Sequence, residues 1–192
     1  SWNEEATLQL SEQLEGAAGL GASIDAAHHP ESPRSVRIAI GAPNALNSAG
    51  DQVGKVFVYS LWDGEVRDIS VLEPRRQAPG QKFGASVDLT YRTGSPFVLV
   101  GAPGDDTNSG HAELFGIGQE GWVHKNTLHP DEAMDGEQVG TSVALSSHFN
   151  NPVIALGAPQ GNTDNHYSGA LYWYRLGDDE SGWQYKGLLK PD

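Results

Sequence analysis

Apolar and polar residues alternate along this chain in short stretches, and the spacing is two rather than 3.6. Val87 and Leu89 alternate with Ser86 and Asp88, which marks a strand with unlike faces. Phe97-Val98-Leu99-Val100 is then a continuous apolar run, the pattern of a strand covered on both sides, and Pro103 ends it. Asn108-Ser109-Gly110 supplies a turn, and Ala112 to Phe115 returns as a third strand. A fourth runs from Trp122 to Leu128 and stops at Pro130, which cannot donate to a ladder. The same order recurs at Val36 to Ile40, Val56 to Tyr59 and Val66 to Leu72. It recurs again at Val153 to Leu156, Leu171 to Tyr174 and Trp183 to Leu189. The pattern predicts an all-β chain made of three four-stranded units.

Each unit carries the same two phrases. They are Leu20-Gly21-Ala22-Ser23 with Gly41-Ala42-Pro43, Phe83-Gly84-Ala85-Ser86 with Gly101-Ala102-Pro103, and Val139-Gly140-Thr141-Ser142 with Gly157-Ala158-Pro159. Gly41, Gly101 and Gly157 are spaced by 60 and 56 residues, the length of one propeller blade with generous loops. These phrases resemble the FG-GAP repeat, named for its Phe-Gly and Gly-Ala-Pro motifs and known from the head of integrin alpha subunits. The middle copy matches both halves literally, and Leu20 and Val139 stand where Phe is usual. The resemblance covers nearly the whole chain. It implies a β-propeller, commonly of seven blades, used for recognition outside the cell or at its surface. The motif residues themselves read as packing residues, because innermost strands crowd together and Gly21, Gly84 and Gly140 let backbones approach.

The expected blades are 20–74, 83–130 and 139–191. Fourth-strand signatures, however, occur four times: Trp2 with Leu8, Val66 with Leu72, Trp122 with Leu128 and Trp183 with Leu189. Residues 1–10 therefore read as a surplus outer strand, and both ends lie at the same phase, as in a segment of a longer propeller. Three blades do not close a ring, since propellers have four to eight. Open flanks would leave apolar faces in water, so ring completion is expected from a second copy or from further blades of the same protein.

Charge narrows the partners. With 12 basic and 25 acidic residues the net charge is −13, which repels phosphate backbones and anionic lipid, so no nucleic acid partner is expected. No run reaches the roughly 20 apolar residues of a membrane helix, so no membrane insertion is expected in this segment. No secretory leader is visible either; the chain starts at Ser1, as it would after leader removal. Absence of cysteine excludes disulfides and thiolate sites without deciding the compartment. An extracellular or cell-surface setting is the expectation that the resemblance brings.

Candidate ligand-binding residues sit in the connections from strand four to strand one and from strand two to strand three, which open on one face. They are Asp105, Asp106, Asn108, Asp131, Asp135, Asn162, Asp164, His166 and Tyr167. Local turn hydrogen bonding is the competing explanation for each. Many FG-GAP repeats hold calcium between strands one and two in an Asp-x-Asp-x-Asp-Gly run. The segments here, 26–34, 90–96 and 146–152, contain no pair of carboxylates and two contain an arginine, so neither calcium nor another cofactor is expected.

Catalytic signals are sparse. His28-His29 is adjacent and Pro-flanked, Asp178-Asp179-Glu180 reads as a charged turn, and no Gly-x-Ser-x-Gly, Walker or zincin pattern appears. The expected function is a non-catalytic module binding a protein partner through the loop face. A carbohydrate-binding or polysaccharide-processing propeller is the alternative; Tyr167 is the lone aromatic among the binding-face loops.

Overall fold

The computed structural model describes residues 16–104, 108–147, 152–163, 166–177 and 182–191, and among them every regular element is a strand. Sheet one joins β1 (Ser23–His29), β2 (Ser32–Ala42), β3 (Lys55–Trp62) and β4 (Glu65–Leu72). Sheet two joins β5 (Ser86–Arg92), β6 (Ser95–Ala102), β7 (His111–Gly118) and β8 (Gly121–Leu128). Sheet three joins β9 (Ser142–Ser146), β10 (Val153–Ala158), β13 (Ala170–Leu176) and β14 (Trp183–Leu189). A two-residue ribbon of β11 (Asn162–Thr163) and β12 (His166–Tyr167) is inserted between β10 and β13. Within the sheets all strand pairings are antiparallel, and each sheet keeps its strands in chain order, while isolated parallel bridges join Gly54 to Phe83 and Gly110 to Val139. The surplus strand expected at 1–10 lies outside the described residues.

Turn chemistry explains the registers. β3 and β4 close on Asp63-Gly64, with φ of 54° and 83°, and β5 and β6 close on Thr93-Gly94, with φ of 48° and 79°. Two consecutive left-handed residues make the type I′ turn, whose twist suits paired strands. Pairing consequently runs out to Arg92 opposite Ser95, and β1 meets β2 out to His29 opposite Ser32. The 26–34 and 90–96 segments, expected as open loops, are mostly strand joined by two-residue turns.

The sheets stack face to face. Ala39, Val56, Val58 and Leu72 of sheet one meet Val98, Val100 and Phe115 of sheet two. Leu99, Ala112, Leu114 and Leu128 on the other side of sheet two meet Ile154, Leu156, Tyr172 and Tyr174 of sheet three. Burial of β6 on both sides accounts for its unbroken apolar run, and each buried Val or Leu there contributes about 1.5–3 kcal/mol. Trp122 packs against the first seam and Trp183 against the second, so both tryptophans hold neighbouring sheets together.

The first strands also tie successive sheets through polar bonds. Ser23 Oγ donates to the Gly84 carbonyl at 2.9 Å, and the Asp25 carboxylate accepts the Leu89 N–H at 2.7 Å. One sheet on, Ser86 Oγ donates to the Gly140 carbonyl at 2.8 Å and Asp88 accepts the Leu145 N–H at 2.9 Å. These carbonyls explain the glycine of Gly-Ala-Pro: a Cβ at Gly41 or Gly101 would lie 2.0 Å from the carbonyl oxygen of Gly84 or Gly140. Only a residue without a side chain admits the neighbouring backbone.

Candidate functional site

Among the described residues, the connections at each sheet junction are hydrogen-bonded to one another. Between sheets one and two, Phe83 N–H donates to Val53 O at 3.0 Å, which ties the 73–82 connection to the 44–53 connection. Between sheets two and three, Gln138 N–H donates to Asn108 O at 2.9 Å and Val139 N–H to Ser109 O at 2.8 Å. The two classes of connection are thus brought together at each junction by backbone groups left over at strand ends.

The candidate residues distribute unevenly over this face. Asp105, Asp106 and Asp164 lie outside the described residues, as do the side chains of Asn162, His166 and Tyr167, whose backbones form the β11–β12 ribbon. Asn108 is exposed and left-handed, with φ of 54°, and its carbonyl supports Gln138. Asp131 and Asp135 are exposed in the 130–138 connection. Asp131 and its neighbour Glu132 act on the phenols of sheet three. Glu132 accepts the Tyr185 hydroxyl at 2.9 Å, and Tyr185 is pushed up to about 12 by burial first and then by this bond and charge. Tyr172 and Tyr174 are raised as well, chiefly by burial; Glu137 adds to the first and the charges of Tyr185, Asp131 and Glu132 to the second.

The structure brings together a set that sequence reasoning missed. A cavity of about 310 Å³ opens on the loop face between sheets one and two, lined by Arg75, Arg76, Gln81, His111, Glu113 and His129 among others. Glu113 lies at its back on β7, with a side chain 1% exposed. Both its oxygens accept the Arg75 N–H at 3.1 Å, and the His111 and His124 Nε2 atoms stand 3.5 and 3.6 Å away. His124 is held in turn by Thr127 Oγ1 at 3.0 Å and edge-on to Phe115. His129 is held by Ser109 Oγ at 3.1 Å, and Gln81 donates to Arg76 O at 2.9 Å. Arg75 and Arg76 are exposed at the mouth.

A signal for this site was present. Glu113 interrupts the apolar Ala112 to Phe115 strand at the position where the other repeats carry Phe57 and Tyr172. A carboxylate on a buried strand is stable only with donors around it. At the next junction the acid is moved to the loop, where buried Glu137 accepts the Tyr172 hydroxyl at 2.5 Å.

A second cavity, about 420 Å³, lies between sheets two and three, with Phe97, Leu145, Trp183, Arg92 and Lys125 in its wall. Its wall includes Ser147, at the repeat position where Tyr91 stands one sheet earlier. Tyr91 fills its own junction, stacking edge-on with His29 and accepting from Arg37 Nη1 at 2.5 Å. Among the described residues no group of three or more His, Cys, Asp or Glu side chains is arranged to hold a metal ion. No protein-family model matches the chain, and no curated protein matches it.

Proposed function

We propose that this chain is an arc of an FG-GAP-type β-propeller that acts as a non-catalytic recognition module outside the cell or at its surface, binding a protein partner across the loop face. The single observation that carries this reading is the Arg75–Arg76 cavity. In a chain of net charge −13, Arg75-Arg76 is the one adjacent pair of Lys or Arg residues, and it stands at the mouth of a preformed hollow. An aspartate or glutamate side chain of an extended partner segment suits such a site, since guanidinium and carboxylate match in planar, two-point geometry.

The test is an array of acidic peptides and their Asn/Gln counterparts, probed with the wild-type chain and with Arg75→Gln/Arg76→Gln. Glu113 is held by the backbone of Arg75, so the double substitution leaves the loop supported. Selective binding to acidic peptides, weakened about tenfold or more by the double variant, is the expected result. Equal binding by both proteins removes the cavity from the interface. The second cavity, with Trp183 and Phe97 beside Arg92 and Lys125, favours a carbohydrate ligand as the other reading; binding to a glycan array in place of the peptide array would select it.

A further inference from the structure

Sheet two carries a group of histidines that the repeat does not call for. His111, His124 and His129 are three of the seven histidines in the chain, and each lines the cavity between sheets one and two or stands against the carboxylate at its back. The equivalent positions are Lys55, Ile69 and Glu73 on sheet one, and Ala170, Tyr185 and Lys190 on sheet three. The same fold is therefore built twice without an imidazole at any of them.

Strand geometry gathers the group. His111 and Glu113 are two apart on β7 and so share a face, while His124 lies opposite Phe115 across the irregularity between Leu114 and Phe115. Both imidazoles thereby flank one carboxylate, with Nε2 atoms 3.5 and 3.6 Å from its two oxygens and side chains 12% and 20% exposed. These separations are longer than a good neutral hydrogen bond and suit an ion pair. The exit loop of sheet one brings Arg75 and Arg76 to the same cavity, and the turn after β8 brings His129, held by Ser109 Oγ at 3.1 Å. Sheet one itself presents Ala39, Val56, Val58 and Leu72 to this seam. Lys55 and Glu73 pair with each other at 3.0 Å, and Lys125, next to His124 in the chain, lines the other cavity. The described residues around the cavity thus carry two guanidinium groups and one carboxylate, and protonation of the imidazoles adds up to three positive charges.

We propose that this histidine set makes binding at the Arg75–Arg76 cavity acid-strengthened, so that an aspartate or glutamate of a partner segment is held more tightly once His111, His124 and His129 are protonated. The inference rests on the acidic-partner reading above and adds its regulation. Imidazole is the side chain whose ordinary charge change falls between pH 5 and 8. Protonated His111 and His124 offset the Glu113 charge that an incoming acid would otherwise meet, and protonated His129 in the wall attracts the acid directly. The coupling is reciprocal: if protons favour the acidic partner, the partner favours protonation, and binding draws protons from the buffer.

The test measures the affinity of the full chain for an oligo-aspartate peptide, and for the acidic peptides retained on the array, at pH 8 and at pH 5.5, where aspartate stays ionised. Calorimetry in two buffers of different ionisation enthalpy counts the protons taken up. Wild type is expected to bind about tenfold more tightly at pH 5.5, with net proton uptake. In His111→Gln/His124→Gln the amides can still donate to Glu113, and most of the affinity ratio and of the proton uptake is expected to vanish. His111→Ala/His124→Tyr, the pair that sheet three carries at these positions, is the second variant and should behave alike. His28→Gln, on β1, keeps the wild-type ratio. Equal affinity at both pH values, binding without proton uptake, or a ratio that survives both double variants overturns the inference and leaves the acidic-partner reading standing. Absence of acidic-peptide binding at both pH values removes that reading and the inference with it.

Discussion

At the scale of single residues, the repeated glycines and the unrepeated Glu113 answer to different physics. Gly101 has no room for a side chain, since a Cβ would sit 2.0 Å from the Gly140 carbonyl and 2.3 Å from Ser86 Oγ. The serine can rotate, but the backbone carbonyl cannot move without opening the seam. Gly101→Val is therefore expected to cost more than about 3 kcal/mol, read as a fall in the urea midpoint. A loss below about 1 kcal/mol would mean that the seam is soft. The glycine was legible from its recurrence alone. Glu113 was visible only as an irregularity, because its partner Arg75 lies 38 residues away and belongs to another sheet's exit loop.

At the scale of elements, β13, β14 and the 130–138 connection share a cluster of phenols and acids. Tyr172, Tyr174 and Tyr185 all have folded-state values above the ordinary phenol value of 10.0, with burial the leading cause. A raised value means that the folded state holds the proton more tightly than the unfolded state. The corresponding stability is complete below pH 10 and is lost as pH rises through the folded values, from about 12 for Tyr185 upward. Phenolate absorbance and circular dichroism followed together should show these tyrosines ionising only as sheet three comes apart. Full ionisation near pH 10 with the strand signal intact would contradict this. The strands themselves were legible from alternation, because a period of two is written locally. The acid–phenol pairing was not, since Glu137 and Tyr172 are joined across 35 residues of chain.

At the scale of the whole molecule, the stacking of sheets rests on apolar area with a few polar bonds at its inner edge. Asp88 is the telling one. Burial raises its carboxyl above the usual range, the Leu145 N–H partly offsets that, and the charge of Asp25 adds to it. Its contribution to stability is therefore present below the ordinary carboxylate range and is lost as pH rises through the raised value. Asp88→Asn keeps an acceptor for Leu145 without the buried charge. The melting temperature of Asp88→Asn minus that of wild type is expected to be larger at pH 7 than at pH 4, and an equal difference at both would show that the ionised carboxylate costs nothing there. By itself the sequence determined the all-β class and the three four-stranded sheets, because strand alternation acts over a few neighbours, whereas the two-residue turn at Thr93-Gly94 emerged only from the structure. It also marked the seam glycines, since each repeat writes the same contact again. Tertiary structure alone decided that Arg75, Glu113, His111 and His129 converge and that Ser147 lines a cavity at the repeat position where Tyr91 packs on His29. Those features depend on which face of one sheet meets which loop of the next, and that is settled only when the sheets stack and exclude water between them.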